Sequence, residues 1–194
     1  MSIECYRKIL ETADSEELRE GAAWYEKANA MVHSFAVQND ITPQRAAGII
    51  AVLSPMVEWS LNVRAAEEVI RKKSKARGVP GFSLNRKKAL KVLHGDLSVI
   101  RGPKVEPFYQ TLLDPNHGEP VLDTHMISAF YSDRTLPKNE LVKVGQTKRR
   151  EKLVEAIKIL AGEKGWTVAR TQATIWVTKK RLDGPFANQY KLFK

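Results

Sequence analysis

The spacing of apolar residues along the chain predicts helices. In the stretch SLNVRAAEEVIRKKSKARG (60–78), Val63, Ala66 and Ile70 recur at three- and four-residue intervals, which is how a helix presents one face to a core. Asp14 and Glu17 have the spacing of a capping box, and they open a predicted helix that runs to about residue 38. We find no convincing alternation of apolar and polar residues of the kind that marks a half-buried strand.

Capping residues, prolines and glycines set the limits of the other predicted helices. Thr42 is a cap before the first-turn proline Pro43, and that helix stops at Pro55. Thr167 caps the last helix. Further helices are predicted at 83–95, at 96–100, at 104–113, from Asp123 onwards and at 147–165, with a loop at 135–146 and an irregular tail from 184. We therefore predict an all-α protein, a compact two-lobed helical domain spanning 1–194.

The composition is that of an ordinary soluble globular protein, with 43% hydrophobic and 28% charged residues. There is no apolar run near 18 residues and no signal peptide, so we expect no membrane partner and a cytoplasmic location. The single cysteine, Cys5, excludes an internal disulfide and a cysteine-ligated zinc or iron–sulfur cluster. The four histidines show no ligand spacing, so neither a metal nor another cofactor is expected.

The net charge of +10 favours DNA as a partner, although solubility alone would also account for a basic protein. The basic residues are clustered at 71–77, 85–91, 148–152 and 179–181. Lys87 and Lys88 lie on a predicted helix that could grip phosphates. The basic segments lack the wide aromatic face of a membrane-surface helix.

Two charged residues stand at the starts of successive predicted helices. Asp123 follows the apolar pair Val121 and Leu122, and a helix N-terminus stabilises a carboxylate. An ordinary structural cap is the alternative interpretation of this residue. Lys104 comes directly after a tight turn at 101–103, although the helix dipole disfavours a cation there. A helix, a glycine-containing turn and a second helix form a helix–hairpin–helix arrangement, in which Arg101 and Gly102 would contact a DNA phosphate.

The order of these motifs resembles the helix–hairpin–helix DNA glycosylase superfamily of endonuclease III and its relatives. In that family a lysine follows the hairpin, and an aspartate lies in a "Val-Asp-Thr-His" motif that VLDTH resembles here. The resemblance covers roughly 42–132, while the flanking segments 14–38 and 147–182 match only in helix content. It implies base flipping, attack by Lys104 on the sugar C1′, and Asp123 as a proton acceptor or charge stabiliser. This would be a DNA repair function.

The chain departs from that pattern in ways that bring it closer to another branch of the fold. The hairpin has Gly102 and Pro103 where two glycines are usual, and Met56 stands where the family has glutamine. The stretches LSPMVEWSLN, GPKVEPFYQTLLD and TQATIWVTKKR resemble the bacteriophage α-glutamyl/putrescinyl thymine pyrophosphorylases, which include amino-acid:DNA transferases. This resemblance implies DNA modification in a host cytoplasm, with an amine or amino-acid co-substrate. A DNA-binding protein of the same fold without catalysis is a third hypothesis.

Seven further residues are predicted to line a base pocket. Trp59 would stack on a flipped base and Gln172 would hydrogen-bond its edge, although core packing explains either residue as well. Arg181 shares the last helix with Gln172 and Trp176 and is predicted to contact the DNA backbone. The complete pocket set is Ser54, Trp59, Asn62, Phe108, His125, Gln172 and Trp176.

Overall fold

The described part of the chain is built from helices. The computed structural model describes residues 3–55, 57–73, 83–131 and 148–184, and no strand occurs among them. This confirms the all-α prediction. The helices are α1 (Glu4–Glu11), α2 (Ser15–Gln38), α3 (Pro43–Leu53), α4 (Trp59–Lys72), α5 (Ser83–Leu93), a 3-10 helix (Leu97–Val99), α6 (Val105–Leu113), α7 (Thr124–Tyr131), α8 (Lys148–Lys164) and α9 (Val168–Asp183).

The predicted caps are formed by the expected side chains. Asp14 Oδ1 accepts hydrogen bonds from the Glu16 and Glu17 N–H groups at 2.9 Å, and the Glu17 carboxylate accepts the Asp14 N–H at 3.0 Å. This reciprocal pair is the predicted capping box. Thr42 caps α3 and Thr167 caps α9, each by accepting a backbone N–H three residues later.

Two elements differ from the sequence prediction. α1 was not predicted, and it buries Tyr6, Ile9 and Leu10 without any side-chain cap at its start. The segment predicted as a short helix at 96–100 contains only a three-residue 3-10 helix. Glycines with positive φ lie just before and after it, Gly95 at 99° and Gly102 at 120°, and they leave no room for an α-helical turn. The predicted helix end at 73–78, the loop at 135–146 and the tail lie largely or wholly outside the described residues.

The chain divides into two compact units. The first contains Met1–Lys27 and Pro115–Lys194, and the second is Ala28–Asp114, so the chain of α2 contributes to both. In the first unit α1, α7, α8 and α9 share a hydrophobic core. The fully buried Tyr6 donates its hydroxyl proton to the Met126 carbonyl at 2.9 Å, which ties α1 to α7. Other core members are Leu122, Phe130, Leu153, Ile157 and Ile175.

The second unit is organised around α3. Every residue from Ala46 to Leu53 is buried, and α4, α5 and α6 all pack against this helix. A helix that is apolar on all sides is stable only when it is surrounded in this way. Gly48 lies where two side chains approach α3 closely, because a methyl group there would lie 2.7 Å from Ile100 Cδ1 and 2.8 Å from Val92 Cγ1.

Gly21 marks a close approach of α2 and α9 within the first unit. A Cβ at this position would lie 2.6 Å from Thr174 Cα and would also overlap the Thr174 hydroxyl. Since the obstacle includes backbone, a side chain at residue 21 requires the two helices to separate.

We therefore expect Gly21→Ala to lower the free energy of unfolding by about 1–3 kcal/mol, the usual cost of overpacking. Gly162→Ala is the matched control, because it lies in α8 with no atom within 4 Å of the new methyl group. The control should stabilise the protein by up to about 1 kcal/mol through helix propensity. Chemical denaturation of the two variants measures both effects, and equal stabilities would contradict the close approach.

Candidate functional site

Asp123 and Lys104 each lie at the start of a helix, but in different units. α7 begins directly after Asp123, in the first unit. Lys104 is the N-cap residue of α6 in the second unit, and its side chain makes no capping hydrogen bond. Each residue is therefore described by the contacts within its own unit.

Both oxygens of the Asp123 carboxylate accept hydrogen bonds. Oδ1 accepts the Met126 backbone N–H at 2.9 Å, which makes Asp123 a helix cap as well as a candidate catalytic group. Oδ2 accepts the indole N–H of Trp176 at 2.9 Å. An indole nitrogen can only donate, so this bond fixes the orientation of both side chains. The carboxylate is half-buried and held from two directions.

Aromatic side chains surround this carboxylate on the first unit. Trp24 makes edge contacts with Trp176 and with Tyr25, at centroid distances of 5.7 and 4.7 Å. We call Trp24, Tyr25 and Trp176 the aromatic cluster. Burial raises the pKa of Tyr25 well above its usual range, and the negative charge of Asp123 raises it further. The same two causes raise the pKa of Tyr6.

Gln172 joins the aromatic cluster from α9, one helical turn before Trp176. Its Oε1 accepts the Tyr25 hydroxyl proton at 2.7 Å, and the side chain is buried. Three residues proposed from the sequence, Asp123, Gln172 and Trp176, are thus linked through one network. Trp24 and Tyr25 were missed, since their place on the apolar face of α2 is equally typical of core residues.

His125 contacts a different group. Its Nδ1 lies 4.0 Å from Asp183 Oδ2 at the end of α9, and Asp183 also pairs with the buried ammonium of Lys179. The described contact of His125 is therefore with the ion-paired carboxylate of Asp183. This carboxylate would also form an ion pair with a protonated imidazole.

Arg181 forms an ion pair with Glu17 at the start of α2. Its guanidinium donates to the Glu17 carboxylate, with Nε to Oε1 at 2.5 Å, and to the Thr12 carbonyl at 2.9 Å. Lys180 lies 4.3 Å above the Trp176 ring, and Asp14 lines the same pocket as these cations. The predicted contact of Arg181 with DNA remains a prediction, and it would have to compete with Glu17.

Lys104 in the second unit reaches the junction that follows α3. Its Nζ donates to the Ser54 carbonyl at 3.3 Å, and the same carbonyl accepts the Val57 N–H. The Ser54 hydroxyl is buried and bonds to the Ala51 carbonyl, so it stabilises the end of the helix. Ser54 therefore contacts Lys104 through its backbone.

Two aromatic rings lie on the same unit as Lys104. Trp59 and Phe108 meet edge to face with centroids 6.4 Å apart, and Phe108 is buried. Phe108 lies one turn along α6 from Lys104, whose carbonyl accepts the Phe108 N–H. Asn62 is buried too, but its amide donates to the Ile50 carbonyl at 3.0 Å and thereby joins α4 to α3.

The turn before Lys104 has open space beside its glycine. Gly102 has a φ of 120°, and a Cβ there would meet no atom within 4 Å. Arg101 is exposed, as is Lys87 on α5, while Lys88 is half-buried. Open backbone beside cations suits a phosphate contact.

Within 3–55, 57–73, 83–131 and 148–184 no three His, Cys, Asp or Glu side chains lie close enough together to hold a metal ion. Within the same ranges no helix is both long enough and apolar enough to span a bilayer.

Comparison with known proteins assigns the chain to a family. Residues 4–182 match a family described as a family of unknown function, DUF7178, and the chain belongs to that family. No curated protein and no solved structure matches the chain. Its activity must therefore be inferred from the residues themselves.

We expect Trp176→Phe to lower the free energy of unfolding by about 1–3 kcal/mol, because an aromatic side chain is kept while Asp123 Oδ2 loses its donor. Trp166→Phe is the matched control, since the indole nitrogen of Trp166 bonds to no described residue. Denaturation of both variants, with and without Asp123→Asn, gives the coupling energy between Asp123 and Trp176. No coupling would contradict the observed hydrogen bond.

The ion pair of Glu17 and Arg181 predicts a pH dependence. The Arg181 hydrogen bond lowers the pKa of Glu17 below its ordinary 4.5, so the pair stabilises the fold above that pH and the stabilisation is lost as the pH falls through the lowered value. Glu17→Gln should therefore reduce stability at pH 7, and this reduction should shrink progressively as the pH falls below 4.5. Glu26→Gln, at an exposed position of the same helix, is the control and should leave this pH profile unchanged.

Proposed function

We propose that this protein is a DNA-binding enzyme that flips a base out of the duplex and acts on the exposed nucleotide, with DNA glycosylase and lyase chemistry. Lys104 is the proposed nucleophile and Asp123 the proposed catalytic carboxylate. The observation that carries the proposal is the Asp123 carboxylate, held by the Met126 N–H and the Trp176 indole beside an aromatic cluster.

The surroundings of Asp123 suit a cationic sugar. Loss of a base from deoxyribose develops positive charge at the sugar, and a preorganised carboxylate stabilises that charge without having to reorient. A carboxylate that only capped α7 would need the Met126 bond alone, whereas here Oδ2 is also held by Trp176. Aromatic side chains next to it offer stacking surfaces for a flipped base.

Lys104 supplies the amine. In the proposed reaction its Nζ forms a bond to C1′ while the bond from C1′ to the base breaks, and the electron pair leaves with the base, which takes up a proton. The amine loses its proton, and expulsion of the ring oxygen O4′, which is then protonated, gives an imine. Borohydride reduces such an imine to a stable amine, so this intermediate can be trapped on the protein.

Charge and backbone exposure support DNA as the substrate. The net charge is +10, and the exposed side chains of Arg101, Lys87 and Lys91 belong to the same unit as Lys104. Cations that meet phosphates release condensed counterions, which drives binding without reading sequence. The open space around Gly102 leaves room for a phosphate at this turn.

One observation favours a second function, transfer of an amine or amino acid to a pyrophosphorylated hydroxymethyluracil in DNA. Lys104 Nζ donates to the Ser54 carbonyl at 3.3 Å, a contact that holds the side chain in place for binding a phosphate group. In this alternative Lys104 binds the departing pyrophosphate and Asp123 takes the proton of the attacking amine. The base stays attached to its sugar.

Borohydride trapping on a duplex with one abasic site tests the primary proposal. We expect a covalent adduct with the wild type and none with Lys104→Ala, because only this residue supplies the imine nitrogen. Lys158→Ala makes the same change at an exposed position of α8 to which the proposed site assigns no role, and it should retain the adduct. Asp123→Asn should reduce the rate of trapping by an order of magnitude or more, in the range of general acid–base effects.

The other outcomes separate the alternatives. Clear binding to the abasic duplex without an adduct would overturn the lyase mechanism. Amine transfer to DNA carrying pyrophosphorylated hydroxymethyluracil would then establish the second function. Salt-sensitive DNA binding that survives both Lys104→Ala and Asp123→Ala, with no product from either substrate, would identify a non-catalytic DNA-binding protein.

A further inference from the structure

The buried pair of Tyr25 and Gln172 is not required by the mechanism. Tyr25 is 5% exposed and Gln172 is 4% exposed, yet both carry polar groups that must be satisfied in the interior. The tyrosine hydroxyl donates to Gln172 Oε1 at 2.7 Å. Among the described residues neither that hydroxyl proton nor the Gln172 Nε2 group has another hydrogen-bond partner.

This bond determines which way round the glutamine amide is held. Burial and the Asp123 charge raise the pKa of Tyr25, so its hydroxyl keeps a proton to donate. An amide turned by 180° would present Nε2 to the hydroxyl and leave the tyrosine proton without an acceptor among the described residues. Leaving a buried donor unsatisfied costs stability, so the pair keeps the oxygen toward Tyr25 and the Nε2 group directed away.

The directed donor lies one helical turn from the indole that binds the candidate catalytic carboxylate. Gln172 and Trp176 are four residues apart, on one face of α9, and the Trp176 indole binds Asp123 Oδ2. The ring of Trp24 contacts both the Trp176 ring and the Tyr25 ring. The carboxylate and the amide donor are therefore linked through neighbouring side chains of one cluster, as recognition of a base held at Asp123 would require.

We propose that Gln172 selects pyrimidines with a carbonyl oxygen at C4, as in uracil or thymine, over those with an amino group at C4, as in cytosine, and that Tyr25 is the positioning residue that sets this preference. The inference rests on the proposed base flipping. A carbonyl oxygen accepts from Nε2, whereas an amino group would place donor against donor. Sites built on one such hydrogen bond reject the mismatched partner strongly.

The test compares duplexes that differ at one unpaired central base, uracil or cytosine, with a fully paired duplex as reference. Extruding an unpaired base from the duplex costs little free energy. The affinity of the protein for such a duplex therefore reports mainly how the extruded base fits the proposed pocket. Fluorescence anisotropy gives the dissociation constant of the full-length protein for each duplex. For the wild type we expect cytosine to bind at least about tenfold more weakly than uracil, the effect of one base-edge contact.

Two variants separate selection from structural support. Gln172→Glu replaces the donor by an acceptor, so the uracil preference should disappear or reverse. Tyr25→Phe keeps Gln172 but frees its amide to turn, so the preference should fall toward unity while affinity for the paired duplex stays unchanged. Gln44→Glu makes the same chemical change at an exposed position of α3, and it should keep the wild-type preference.

A wild-type measurement covers the case in which a variant does not fold. Replacing the uracil by 4-thiouracil exchanges the oxygen acceptor for sulfur, a weak acceptor, and should weaken wild-type binding severalfold. Equal affinity for uracil and 4-thiouracil, or for uracil and cytosine, would overturn the role of Gln172 while the preference for unpaired bases over paired DNA keeps the proposed function. Equal affinity for unpaired and fully paired duplexes would overturn base flipping and this inference with it.

Discussion

The hydrogen bond from the Trp176 indole to Asp123 is the contact on which the first unit's site depends. It joins the start of α7 to the middle of α9, two helices separated by a long stretch of chain. Because an indole nitrogen can only donate a hydrogen bond, its position determines the orientation of the carboxylate. Trp176 in turn positions Trp24 by edge contact, and its helix carries Gln172 at the preceding turn. The Trp176 side chain is thus the common neighbour of the Asp123 carboxylate, the Trp24 ring and the Gln172 amide.

The second unit carries the cationic candidate residue, Lys104, instead of a carboxylate. Its central helix α3 is buried throughout, so the junction at Ser54 that follows it is well fixed. Lys104 donates to that junction and stands after an open glycine turn. Lys104 and Asp123 are therefore held by different units, and each side chain is fixed by contacts within its own unit.

Local signals predicted most of the fold, because helix caps and apolar stripes act over four residues. The capping box at Asp14 and the caps at Thr42 and Thr167 were predicted at the observed positions. α1 was missed because no side chain caps its start, and it is stabilised by the burial of Tyr6 against α7. That contact joins residues 120 positions apart, beyond the reach of any local pattern.

The candidate site was predictable only in part for the same reason. Asp123 stands out after an apolar approach, whereas Tyr25 looks like any core aromatic of an amphipathic helix. Arg181 looked like a free cation in a basic cluster, but it pairs with Glu17, 164 residues away. Charge counting identifies how many cations a chain has, and only the fold determines which of them are already neutralised.

The contact between Gly21 and Thr174 has an evolutionary consequence. Thr174 lies between Gln172 and Trp176, and Gly21 lies one turn before Tyr25, so the absence of a side chain at residue 21 brings the tyrosine within reach of the amide. Because the Thr174 Cα is part of the obstacle, no change of side chain at residue 174 makes room for a side chain at residue 21. Any protein that keeps this spacing of the two helices must therefore keep glycine at position 21.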